Sequence, residues 1–363
     1  MRSGVRFGLG VAAFALVGTF VAAAVRENFA EAEFERCVER WTPSVPSRAE
    51  SELARELVVL DRELERRVPN LDFGVFAPYR WSGEGRAELE VALDDVAPLT
   101  ARMETLLESD AALAVVARGR GLLPIPGLRV GLVWANVLAA RAVLAPDDAS
   151  AARWLALALD LNRLRCRSSN HGIMLRASFD SIALYALRER LGRSDARADA
   201  YLARLDERLR RNEAPVPWSE IGKAEAELCA QYAAPLASEV GATPFDWWQR
   251  AETLDALTAS IREHEALASG AAPRTSSEMP DRWLGIFERV QHESGERAAL
   301  ARVVLRVMAY RDRCAGWPAS VAELADVRVD PADIRFRTTR ESARLELLTQ
   351  PLCNVADWTV PSR

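Results

Sequence analysis

Residues 127–191 read GLRVGLVWANVLAARAVLAPDDASAARWLALALDLNRLRCRSSNHGIMLRASFDSIALYALRERL, and the rest of the chain is organised around this run. Val130, Val133, Val137, Ala140 and Leu144 recur at helical spacing, followed by Trp154, Leu157, Leu161 and Leu164, and then by Leu175, Phe179, Ile182 and Ala186. Each set forms an apolar stripe along one side of a helix, suited to burial against neighbours. Pro146-Asp147-Asp148 and Ser168-Ser169-Asn170 interrupt the run, so the three helices are expected to fold back as antiparallel neighbours. The stretch reads as a core and carries no chemistry of its own.

The same good helix formers dominate the whole chain of 363 residues, of which 49% are apolar, enough for one large or two ordinary domains. The expected fold class is all-α: an antiparallel helical bundle or helical-hairpin array with a small C-terminal β-hairpin and an N-terminal transmembrane helix. Charges number 47 basic against 52 acidic, and Lys223 is the only lysine. The arginines alternate with acids, as in Arg62-Glu63-Leu64-Glu65-Arg66-Arg67, so no basic stripe forms and nucleic acid is excluded as a partner.

Two arginines lie in Met1–Arg6, and the nineteen residues Phe7–Val25 carry no charge. At ~1.5 Å per residue that run nearly spans a ~30 Å hydrocarbon layer. Ala22-Ala23-Ala24 would suit signal cleavage, which would leave a secreted chain. Arg26 to Arg40, however, continues as helix without a break, and a retained single-pass anchor in the cytoplasmic membrane is expected, with the body on the extracytoplasmic side. The expected division is an anchor or signal segment at 1–26, a helical domain at 27–268, a Gly/Pro/Ser/Thr linker at 269–280, and a C-terminal helix with a small hairpin unit at 281–363.

Between these landmarks, Ser47–Arg67 and Arg86–Glu108 read as helices. The loop from Val68 to Gly85 holds Phe73, Phe76, Tyr79 and Trp81, a candidate ligand or partner surface whose alternative use is to cover the end of the bundle. Ser194 is placed to cap a helix. Thr243-Pro244 with Asp246 is a strong helix start, combining a capping hydroxyl, an early proline and a carboxylate near the positive end of the dipole. Asp281–Arg313 reads as helix with Gly295 as a point where it could break. Ile334–Thr338 and Arg344–Leu348 alternate like a hairpin.

Chemistry is sparse. His264-Glu265 and His292-Glu293 begin like zinc-protease helices, but Ala268 and Glu296 stand where the second histidine ligand belongs. Cys166 with His171 lacks paired ligand spacing. Ser219 and Lys223 lie one helical turn apart, yet without the Ser-x-x-Lys spacing of a serine–lysine hydrolase. No catalytic, metal-ligating or cofactor-binding residue is assigned. Cys314 and Cys353 are expected to pair in an oxidising compartment, closing a small C-terminal unit that is short of core.

Tyr310-Arg311, Gly316-Trp317-Pro318, Ser320-Val321 and Glu323-Leu324 resemble a Tyr-Arg…Gly-x-Tyr/Trp-Pro-x-Ser-Leu-x-x-Leu segment found near the ends of many membrane-anchored bacterial envelope proteins. A similar segment follows the long helix of some type II secretion pseudopilins, whose processing site needs a glutamate that Phe7–Val25 lacks. The chain looks more like a group of uncharacterised N-terminally anchored, all-helical envelope proteins, loosely over Leu138–Leu209 and the C-terminal segment. That resemblance implies a helical extracytoplasmic domain and no particular activity. The function expected is a scaffold or binding protein working with other envelope proteins; the alternative is an envelope hydrolase whose site assembles from separated residues.

Overall fold

The computed structural model describes residues 2–41, 48–68, 73–108, 128–165, 170–193, 195–237, 243–271, 281–324, 334–348 and 357–362. They form helices α1 (Arg2–Trp41), α2 (Arg48–Arg67), α3 (Arg86–Asp95), α4 (Ala97–Leu107), α5 (Leu128–Leu144), α6 (Asp148–Arg165), α7 (Asn170–Leu191), α8 (Ala198–Glu213), α9 (Trp218–Ala237), α10 (Pro244–Ala268) and α11 (Asp281–Cys314). Strands β1 (Ile334–Thr338), β2 (Ser342–Leu347) and β3 (Asp357–Pro361) complete the set. A mostly helical chain with a small C-terminal sheet is therefore what the sequence encodes.

Two compact units interleave along the chain, one made of Met1–Val45 and Pro217–Arg274, the other of Pro46–Val216 and Thr275–Arg363. The expected linear division and these units cut the chain at different places, except that the boundary at Arg274 and Thr275 falls inside the 269–280 linker.

The first unit holds α1, α9 and α10. Along α1 the buried residues Ala23, Glu27, Ala30, Phe34 and Cys37 alternate steps of four and three, a coiled-coil seam. The facing seam on α10 is Ala251, Leu254, Thr258 and Ile261. Ion pairs set the direction: Arg26 reaches Asp255 at 3.2 Å, Arg250 holds Glu27 and Glu31 at 2.7 Å each, Arg262 meets Glu33 and Arg40 meets Glu265. From Glu27 with Arg250 through Glu33 with Arg262 to Arg40 with Glu265 the partner numbers rise together, so α1 and α10 run parallel. Helix α9 returns antiparallel against α10, with Cys229 Sγ 3.7 Å from Ser260 Oγ. Gly222 makes that approach possible, because a Cβ there would lie 2.4 Å from the Ala268 nitrogen and 2.6 Å from the His264 carbonyl oxygen. The expected helix start is present, and it closes a capping box: Thr243 Oγ1 accepts the Asp246 N–H at 3.2 Å, and the Thr243 N–H donates to Asp246 Oδ2 at 2.9 Å.

Among the described residues no helix is long and apolar enough to cross a membrane. The side chains of residues 2–17, most of the apolar run, lie outside the described residues.

The second unit contains the large core. Helices α5, α6 and α7 pack together as their stripes require, with Trp134 fully buried and its Nε1–H donated to Asp61 of α2 at 3.0 Å. Helices α8 and α11 pack against that layer, and the antiparallel sheet, ordered β1-β2-β3, turns Ala343, Leu345, Trp358 and Val360 inward. Here Arg302, 1% exposed, holds Asp206 at 2.9 Å and Glu213 at 2.5 Å.

Several local expectations change. The Arg86–Glu108 pattern splits at Val96, where Pro98 starts α4. Helix α11 runs through Gly295 unbroken, because the missing Cβ leaves room for the Glu213 carbonyl oxygen, which would lie 2.6 Å from it. Ala315, at φ 53°, takes the left-handed position after α11, one residue before Gly316. Helix α8 begins at Ala198 with Arg197 as its N-cap, and Ser194 lies outside the described residues. The hairpin gains a third strand, β3, paired with β2 from Ser342↔Pro361 to Glu346↔Asp357.

Candidate functional site

Among the described residues of the second unit lies a cleft of about 570 Å³. That volume lies within the range of small-molecule sites. One wall is the turn of Trp81, Ser82 and Gly83 with Arg86; another is Val143 at the end of α5. The C-terminal end of α7 contributes Arg188, Glu189, Gly192 and Arg193, and the sheet edge contributes Ser342, Thr359 and Pro361.

Local sequence explains each wall. Gly83 turns with φ 74°, a left-handed angle that favours glycine, and the chain then enters α3. Trp81 is buried because its Nε1–H donates to the Phe76 carbonyl at 2.9 Å and its ring tilts against Tyr185 at 5.6 Å. At the end of α5 the unpaired carbonyls need donors, and arginines of α7 and the residues just after it supply them. Arg193 Nη2 donates to the Val143 carbonyl at 2.7 Å, and Arg190 Nη1 to that of Ala145 at 2.9 Å. Arg190 Nη2 also donates to Asp148 Oδ1 at 2.8 Å, which accepts the Tyr201 hydroxyl at 2.7 Å. Burial pushes the Tyr201 phenol well above its usual range.

The electrostatics of the cleft favour an anion. Burial, the largest cause, and the guanidiniums of Arg190 and Arg86 push the Arg193 pKa down, with Asp195 and Tyr201 opposing. Like charges crowd here, and Arg193 still stays protonated. Arg86 is held by Glu90 at 2.9 Å, and among the described residues Arg188 has no carboxylate within ion-pair distance. Three arginines and one carboxylate, Glu189, line the cleft; with Arg86 paired to Glu90 and Arg193 held on the Val143 carbonyl, Arg188 is the guanidinium open to an anion. Planar guanidiniums with the hydroxyls of Ser342 and Thr359 match a phosphate or carboxylate.

The aromatic loop expected as a surface is dispersed. Phe76 and Trp81 are buried core, Tyr79 is exposed, and the Phe73 side chain lies outside the described residues. Among the described side chains of the four, Trp81 lines the cleft. Cys314 is a free, exposed thiol at the end of α11, and its expected partner Cys353 lies outside the described residues. Cys166 and the side chain of His171 lie outside them as well. His292 is exposed beside Glu296 at 3.2 Å. Lys223 is exposed on α9. Among the described residues, no three His, Cys, Asp or Glu side chains converge as metal ligands would.

Sequence reasoning missed Arg86, Arg188 and Arg193, because arginine is everywhere in this chain and their convergence needs α3, α7 and the sheet to meet. No protein-family model, curated protein or solved structure matches this chain.

Proposed function

We propose that the chain is a membrane-anchored, extracytoplasmic helical binding protein of a bacterial cell envelope, and that its arginine cleft takes a small anionic ligand carrying phosphate or carboxylate. The observation that carries the anchor is α1 itself: one unbroken helix passes from the uncharged Phe7–Val25 run into the seam that packs on α10. A cut after Ala24 would remove Ala23, the first buried residue of that seam, so a retained anchor suits the packing better than a removed signal. The resemblance of Tyr310–Leu324 to envelope proteins points the same way. The binding role rests on the three arginines of the cleft beside Ser342 and Thr359. An envelope hydrolase gains less support, since among the described residues lining the cleft there is no histidine to activate a serine.

Carbonate washing of membranes tests the anchor: the full-length chain is expected in the pellet, and a soluble species beginning near Val25 would overturn it. Titration calorimetry with inorganic phosphate and with citrate tests the cleft. Arg188→Ala should weaken binding about tenfold, the equivalent of losing ~1.4 kcal/mol. Equal affinity in wild type and variant would move the ligand elsewhere. Cross-linking in intact cells followed by pull-down would identify envelope partners.

A further inference from the structure

We infer that the first turn of α10, from Phe245 to Trp248, lies in the headgroup layer of the bilayer beside α1, so that the chain meets the membrane with two helices rather than one. The inference rests on the anchor reading above and adds where the membrane surface falls.

The argument begins with register. The ion pairs joining α1 to α10 keep a sequence separation between 219 and 229 residues. Because the helices are parallel, the start of α10 must lie beside the later part of the uncharged run. It does: the Phe20 and Trp247 rings meet edge to face with centroids 5.9 Å apart. A membrane that receives the Phe7–Val25 run therefore has the first turn of α10 at its surface, beside the last turns of that run.

That turn has the composition such a position needs. Phe245 is 68% exposed and Trp248 42% exposed, against the usual burial of large aromatics. On α1, Phe20, Val21 and Val25 are exposed at the same level, away from the seam. No charged residue occurs from Phe7 to Val25, and the first one after it, Arg26, is placed over the Trp248 ring at 4.5 Å from its centroid. Trp248 Nε1–H donates to Glu252 at 2.9 Å, one turn further from the apolar run. The indole thus offers its apolar body on one side and its polar atom toward the charged part of the helix pair. This is the arrangement that draws tryptophan to a membrane–water interface. Asp246 is compatible with the headgroup layer because its carboxylate is engaged by Thr243 in the capping box.

A lipid surface fits better than a second copy of the chain, because the exposed apolar residues occur on both helices around the emerging anchor. Val21 and Val25 continue along α1 only to Phe29, one turn further on, and Phe245 and Trp248 lie on the other helix, so the exposed set surrounds the anchor's exit at one level and does not run the length of a helix pair.

Photo-cross-linking decides the matter. The full chain is reconstituted in vesicles of phosphatidylethanolamine and phosphatidylglycerol, with benzoylphenylalanine placed at position 245, at 248 or at the exposed Ala266 near the far end of α10. Lipid adducts are expected by mass spectrometry at 245 and 248 and none at 266. Chains that float with the vesicles but give no adduct at 245 and 248, or that give a chain-to-chain product there, would overturn the inference while leaving the anchor intact. Chains that fail to float at all would remove the anchor reading and this inference with it.

Discussion

The two units solve the same packing problem with opposite means. In the first, the α1/α10 seam is thin: Ala23, Ala30, Phe34 and Cys37 face Ala251, Leu254 and Ile261, and a charged residue, Glu27, occupies a seam position opposite Arg250. In the second, layers of Leu, Val, Trp and Met fill a broad core, and buried charge is held in ion pairs such as Arg302 with Asp206 and Glu213. The lesson is that buried charge does different work in each. A polar seam position fixes register and direction where apolar contacts are too few and too alike to do so. Inside a broad core, a buried pair adds little over an apolar filling but becomes costly once broken.

The sharpest way to break this contrast is Arg302→Ala. It leaves Glu213 buried without its guanidinium and should cost about 3–5 kcal/mol in urea unfolding followed by circular dichroism. The same pair makes a pH prediction. Burial raises the Asp206 pKa, but Arg302 and Arg306 outweigh it and hold the folded value below the usual 3.8. A carboxyl depressed in the folded state contributes stability that is full above its unfolded pKa. That contribution is lost as pH falls through the folded value. The stability gap between wild type and Arg302→Ala should therefore narrow as pH drops below about 4.

Next in size is Gly222→Ala, in the first unit. Its Cβ would strike backbone atoms of α10, which cannot move aside, and about 1–3 kcal/mol of destabilisation is expected. The matching change in the second unit, Gly131→Ala, puts its Cβ 2.8 Å from the tip of the Phe179 ring, which can shift. It should cost less than Gly222→Ala. Alkylation of the buried Cys37 thiol, which requires opening of the first unit, reports on that unit alone: faster labelling is expected for Gly222→Ala and unchanged labelling for Gly131→Ala.

A change in the other direction is expected at Ala315. Its left-handed backbone costs roughly 1 kcal/mol that glycine would not pay, so Ala315→Gly should raise the unfolding midpoint. The smallest effect is expected at Glu207. Arg210 and Arg211 pull its pKa to about 2, yet the group is fully exposed, and Glu207→Gln should leave the midpoint unchanged.

Much of the second unit was legible because its signals are local. The stripes of α5 to α7 have helical period and clear breaks, and in the first unit the Thr243-Pro244-Asp246 helix start is as local a signal. What escaped was long-range. The seam of α1 combines Ala, Glu, Phe and Cys, a set with no recognisable apolar stripe until α10 is placed beside it. Strand β3, with Asp357 and Pro361 at its ends, looks like turn chemistry in isolation. The arginine cleft joins residues from separate elements, and a chain in which nearly every cation is arginine gives no contrast by which to notice three of them.

The parallel pairing of α1 with α10 also has a consequence in time. Residues that meet across more than 200 positions cannot meet until both have been made, and at typical synthesis rates α10 follows α1 by about 10–45 s. Throughout that interval the α1 face bearing Phe34 and Cys37 has no partner of its own. A seam poor in large apolar side chains, with a glutamate in its midst, can wait in water without gathering wrong partners, where a leucine zipper could not.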